Sequence, residues 1–165
     1  MSNQFYLTRK VRLGLMQQRD QLREQLHAST KEMGESVKRD NDLRENPEFL
    51  QLQTKISYEL PNKISELTRI LATAKLIEET DAIRTSNFDE VLPGMQVELI
   101  DAAGGNRVIS ILGYAEGNPE MGIVSYLTPV AKALIHKSVG DEVSLINNGK
   151  LQTYEIFDVR RSPYL

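Results

Sequence analysis

Asp42-Leu43-Arg44-Glu45-Asn46 stands where two long helical patterns meet, and its reading decides the architecture of the first half of the chain. Helix-forming sequence runs from about Leu7 to Lys38 and again from about Glu48 to Glu79. The second run has the clearer period. Ile56, Leu60, Lys63, Leu67, Ile70, Ala74 and Ile77 step by alternating fours and threes, the spacing of a coiled-coil seam, with Ile64 and Leu71 on its flank. In the first run Leu15, Leu22, Leu26, Met33 and Val37 form a weaker stripe, interrupted by Arg12, Arg19 and Ser29. Facing the two stripes gives an antiparallel hairpin in which helices of about 30 residues rise about 45 Å each. Its turn, residues 40–49, then carries Asp42 and Glu45 at the far end of a rod.

Two residues disturb this regularity. Pro61 removes a backbone donor inside the second helix and clashes with the preceding turn, which predicts a kink near Ile56–Leu60. Gly14 weakens the start of the first helix. The apolar steps continue past both, so both are read as bends.

From Phe88 onward the period changes from helical to alternating. Met95–Ile100, Arg107–Leu112, Gly122–Tyr126, Val143–Ile146 and Leu151–Val159 read as strands, with turns at Gly104-Gly105-Asn106 and Asn147-Asn148-Gly149. Thr128-Pro129 before Val130-Ala131-Lys132-Ala133-Leu134-Ile135 reads as a short helix with Thr as N-cap and Pro at its first position. The predicted class is α+β: a helical hairpin over residues 1–80, a polar link over Glu78–Asn87, and a small, mostly antiparallel sheet with one helix over residues 85–165.

Composition narrows the function classes. The chain has 165 residues, a formal charge of −3 and no cysteine, which removes disulfides and thiolate metal sites and argues against general phosphate-backbone binding. Neither a secretory signal nor an apolar run long enough to cross a membrane is visible, so the expectation is a soluble, cytoplasmic protein without a membrane partner. His27 and His136 lie far apart without a nucleophile beside them, and no phosphate-cradling glycine motif is present.

The turn itself admits two readings. Asp42-x-x-Glu45 fits a capping box for the second helix, and Asn46-Pro47 offers an alternative start; Asn41 tolerates the left-handed backbone of a tight turn. Lys38, Arg39 and Arg44, interleaved with Asp40, Asp42, Glu45 and Glu48, read by themselves as a solvated helix surface. The second reading is metal delivery: Asp and Glu oxygens are hard ligands, and Mg²⁺ is often held by only one or two carboxylates plus phosphates and water.

Asp42-Leu43-Arg44-Glu45-Asn46-Pro47-Glu48-Phe49 resembles the tip motif of the bacterial Gre transcript-cleavage factors, GreA and GreB, whose pattern reads Gly-Asp-Leu-x-Glu-Asn-Ala-Asp/Glu-Tyr. The segment Thr128-Pro129-Val130-Ala131-Lys132-Ala133-Leu134-Ile135-His136-Lys137-Ser138-Val139-Gly140-Asp141-Glu142-Val143 is similar to that family's Ser-Pro-x-x-x-Ala-Leu-x-Gly-Lys-x-x-Gly-Asp-x-Val run. Asn41 stands in place of the tip glycine, Pro47 of a small residue, Phe49 of tyrosine and His136 of glycine.

The resemblance implies a globular domain similar in fold to the FKBP-type prolyl isomerases, docked at the rim of the secondary channel of bacterial RNA polymerase. It implies a coiled coil passing down that channel to backtracked RNA. Asp42 and Glu45 would then be the acidic pair that helps the polymerase hold Mg²⁺, with Asn41, Asn46 and Phe49 shaping the tip. Lys38, Arg39 and Arg44 become candidates for contacting the extruded RNA 3′ end, and Tyr126, Leu127, Thr128 and Pro129 for docking on the polymerase. The factor would be no enzyme itself, would hold no metal tightly alone and would act as a monomer. Two alternatives stay open: a secondary-channel regulator that does not stimulate cleavage, and a coiled-coil adaptor unrelated to transcription.

Overall fold

A helix that begins in solvent must find partners for its first backbone N–H groups. In the computed structural model, which describes residues 4–39 and 46–165, Thr8 Oγ1 accepts the Val11 N–H at 3.3 Å and the Glu78 carboxylate accepts the Arg9 N–H at 2.9 and 3.2 Å. Helix α1 then runs over Arg9–Arg39, following the two-residue strand β1, Tyr6–Leu7. The chain divides into two units, Arg12–Thr73 and a second that joins Met1–Val11 to Ala74–Leu165. The expected boundary, a hairpin over 1–80, therefore shifts at both ends: the first residues and those from 74 belong with the sheet.

Within Arg12–Thr73, the sheltered side of α1 follows Leu15, Arg19, Leu22, Leu26, Ser29 and Met33, all buried or half-buried and spaced by fours and threes. Arg19 and Ser29, read as interruptions, are thus members of the stripe. The Arg19 side chain is 20% exposed and keeps its guanidinium on Asp20 Oδ1 at 3.2 Å, while its stem lies along the seam. Val37, expected in the stripe, is instead 52% exposed.

The return strand of the hairpin comprises α2 (Pro47–Thr54), a single π-helical turn at Lys55–Glu59 and α3 (Leu60–Thr73). The π turn answers the Pro61 problem. Pro61 has no N–H for the carbonyl four residues back, and the chain widens so that the Leu60 N–H reaches Lys55 O, five residues back. The wider turn takes up one extra residue. Beyond it the expected seam positions Leu60 and Ile70 are buried, Leu67 and Ala74 are half-buried together with the flanking Ile64 and Leu71, and only Lys63, expected on the seam, is exposed.

Periodicity alone carried the second helix to Glu79, but α3 ends at Thr73. Beyond it, strand β2 (Lys75–Leu76) pairs in parallel with β1, Tyr6 against Lys75 and Leu7 against Leu76, and Lys75 donates its N–H to Phe5 O at 2.8 Å. Ile77 is then fully buried in the core of the sheet unit, and a short helix α4, Asp81–Arg84, stands where a polar link was expected. Backbone bonds to a distant strand and burial of Ile77 outweigh the propensity to continue helix.

The sheet has five strands: β3 (Met95–Asp101), β4 (Asn106–Leu112), β5 (Ile123–Ser125), β6 (Glu142–Asn147) and β7 (Lys150–Arg161), in the order β5-β4-β3-β7-β6. All pairs are antiparallel except β4 with β5, which is parallel. One face, carrying Val97, Leu99, Ile109, Ile111, Val143, Leu145 and Ile156, is buried together with Ala131 and Leu134 of α5, Pro129–Leu134. Each such side chain contributes about 1.5–3 kcal/mol by leaving water. Gly113 has a steric reason: a Cβ there would lie 2.7 Å from Tyr6 O, closing the space that β1 occupies.

Candidate functional site

The distal end of the hairpin is bounded by Arg39 and Asn46. Of the two helix starts legible in the sequence, α2 uses Asn46-Pro47. Asn46 is extended (φ −80°, ψ 112°), its side chain accepts the Glu48 N–H at 3.0 Å, and its carbonyl accepts the Leu50 N–H at 3.1 Å. Pro47, at the first helical position, has no donor to leave unsatisfied. Asn41, Asp42, Arg44 and Glu45 lie outside the described residues.

Lys38 and Arg39 occupy the last turn of α1, both exposed. Cations there are favoured by the helix dipole, and Arg39 Nε donates to the Glu35 carbonyl at 3.5 Å. Next to this end lies an open cleft of about 360 Å³ whose lining includes Glu32, Ser36, Asn46, Glu48, Phe49 and Lys55. Phe49 is half-buried there, so its ring forms part of the wall rather than projecting alone. Among the described residues, no group of three or more His, Cys, Asp or Glu is placed to hold a metal ion.

The four docking candidates separate by environment. Tyr126 is half-buried: its ring meets Tyr6 edge-on at 5.4 Å, and its hydroxyl accepts the Tyr6 N–H at 3.3 Å while donating to Gln4 O at 3.4 Å. Desolvation raises its pKa above the ordinary phenol value, opposed by the Tyr6 N–H bond. Thr128 caps α5, accepting the Ala131 N–H at 3.3 Å and donating to Ser125 O at 2.8 Å. Leu127, 45% exposed, and the exposed Pro129 are the members that face solvent.

Sequence reasoning missed the root of α1. Glu78 and Glu116 supply the carboxylates that hold Arg9 and Thr8, across separations of 69 and 108 residues. No local pattern marks either residue, because only the fold brings them to the helix start.

Residues 85–161 match the family model described as transcription elongation factor, GreA/GreB, C-term. The chain is 36% identical over 123 residues to transcription elongation factor GreA of Nautilia profundicola, covering 74% of this chain and 73% of that one. GreA of Acidiphilium cryptum is 36% identical over 120 residues, covering 72% and 73%. Among solved structures, that of the transcription factor Gfh1 is 23% identical with a TM-score of 0.45, covering 96% of this chain and 99% of the other.

Proposed function

Since the chain belongs to the GreA/GreB family of transcription elongation factors, we propose that it acts on bacterial RNA polymerase, stimulating cleavage of backtracked RNA through Asp42 and Glu45. The sheet unit is the docking body, with Leu127 and Pro129 its contacts, and the hairpin is the part that passes into the secondary channel. The observation that carries this reading is the cap of α2. Asn46 caps α2 by accepting the Glu48 N–H, so the helix starts at Asn46-Pro47 and not at the Asp42-x-x-Glu45 box. Two carboxylates in the segment that joins helices of about 45 Å would suit delivery into a deep channel.

The donor set fits Mg²⁺: two hard carboxylate oxygens, too few to hold the ion alone and enough to complete a shell shared with the polymerase, phosphate and water. When bound there, Mg²⁺ supplies Lewis acidity and lowers the pKa of a bound water. Asp42 and Glu45 would hold the ion, and Lys38, Arg39 and Arg44 would neutralise phosphate on the extruded RNA 3′ end. The factor remains a monomeric accessory to the polymerase nuclease in the cytoplasm.

The test is a stalled, backtracked polymerase complex supplied with Mg²⁺, with RNA length followed over time. Short 3′ fragments that vanish with Asp42→Asn or Glu45→Gln, while polymerase binding persists, support the reading. Binding without fragments from the wild type replaces it with a channel regulator. No binding to core polymerase leaves a coiled-coil adaptor.

A further inference from the structure

The outer face of the sheet, opposite the one packed with α5, carries charges that work against the fold. Glu142 of β6 stands directly across from Glu155 of β7, and Glu98 of β3 directly across from Asp158 of β7. Both are like-charge pairs at the closest cross-strand spacing, where like charges destabilise a sheet. Asp158 is relieved by Arg160 at 3.3 Å and Glu98 by the Asn106 amide at 2.7 Å. Glu142 and Glu155 are both exposed.

The same face exposes large apolar groups. Ile146 and Leu151 form the last outward cross-strand pair of the β6–β7 hairpin, 69% and 73% exposed. Near the other end, the register of β7 shifts between its Glu98 and Leu99 partners, leaving Phe157 as the extra residue of a bulge, 59% exposed. A bulge at that place re-aims a side chain. Among the described residues neither Glu142 nor Glu155 has an ion-pair partner, so this acidic pair, flanked by outward apolar groups, lacks a cation.

We infer that this outer sheet face, with Glu142 and Glu155 at its centre and Leu151 and Phe157 at its flanks, docks a polypeptide segment in which basic and apolar side chains alternate. Charge complementarity selects this occupant. Lysine or arginine would relieve the Glu142–Glu155 pair, and interleaved apolar side chains would cover Ile146, Leu151 and Phe157. The Glu142–Glu155 pair is then a stability cost retained for binding, which gives the proposal a readout that mere solvation does not share.

The experiment uses the full chain and a labelled peptide alternating lysine and leucine, followed by fluorescence anisotropy, with a lysine–serine peptide of equal charge as comparison. The lysine–leucine peptide is expected to bind about tenfold more tightly than the lysine–serine one. Glu142→Lys should weaken it about fivefold while raising Tm by about 2 °C, because a like pair becomes an opposite one. Leu151→Ser should weaken binding without altering its salt dependence. Glu24→Lys, an exposed change on α1, should leave affinity unchanged. Equal affinity for the two peptides, an equal loss with Glu24→Lys, or a Tm lowered by Glu142→Lys each overturns the proposal.

Discussion

Thr8 Oγ1 donates to Glu116 Oε1 over 3.0 Å, a hydrogen bond between residues 108 positions apart in the chain. The other Glu116 oxygen accepts the Gly113 N–H at 3.0 Å, and the Thr8 hydroxyl oxygen accepts from Val11. One threonine, 2% exposed, therefore caps α1 and ties its first turn to the loop after β4.

Thr8→Val keeps the shape and removes the hydroxyl. Losing a helix cap and leaving Glu116 without its donor should cost about 1–2 kcal/mol. Thermal unfolding followed by circular dichroism should show Tm lower by about 3–6 °C. A shift below about 1 °C would count against this account of the helix root.

Tyr126 gives a pH dependence with a definite sign. Desolvation raises its pKa, so the folded state favours the neutral phenol. The contribution is present in full below about pH 10, the unfolded value, and is lost as pH rises through the raised folded value. Wild-type stability should therefore fall above pH 10 more steeply than that of Tyr126→Phe, with tyrosinate absorbance appearing alongside the loss. Parallel curves for the two proteins would contradict the assignment.

His136 sits at φ 68°, in the left-handed region, with its N–H donated to Val91 O at 2.8 Å. A non-glycine residue there costs about 1–2 kcal/mol. The contact of its Nδ1 with Glu90 Oε2 at 3.1 Å is exposed on both sides and repays little. His136→Gly should raise stability by about 0.5–1 kcal/mol in denaturant titration, whereas His136→Ala, which keeps the strain, should give no gain.

The seam of α3 makes a prediction about its first turn. Ile64→Ala should cost about 1–2 kcal/mol because Ile64 occupies the sheltered position, and Lys63→Ala should stay within about 0.5 kcal/mol. The opposite order would mean that Lys63, and not Ile64, lies in the seam. Chemical denaturation of the two variants decides between them.

On the proposed docking, Leu127→Glu should weaken binding to core polymerase at least about tenfold with Tm unchanged. Tyr126→Phe should lower Tm while leaving polymerase affinity near wild type. A reversal of these two outcomes would move the contact from the exposed leucine to the tyrosine.

What was legible in the chain rested on short-range signals. The change of period near residue 88 marked hairpin from sheet, and Thr128-Pro129 marked the cap of α5. Asn147-Asn148-Gly149 marked the β6–β7 turn, where Asn148 and Gly149 take φ 51° and 78°, values that asparagine and glycine adopt readily. These signals survive because each depends on neighbours a few residues away.

The sequence by itself determined the two helical runs, the strand order along the chain, the turns and the α+β class, since periodicity and capping are properties of adjacent residues. Only the tertiary structure decided where the second helix stops, which carboxylates hold the first, and which side chains line the seam. Strand β1 captures Lys75–Leu76 and ends the helix at Thr73, against a periodicity that runs on to Glu79. On α3 Ile64 is sheltered and Lys63, a seam position by spacing, is exposed. Tyr126, similar in sequence setting to the exposed Leu127, is drawn inward by the Tyr6 backbone. In each case the deciding bond joins residues distant in sequence or depends on the exact count of residues in a turn, and neither is encoded in local composition.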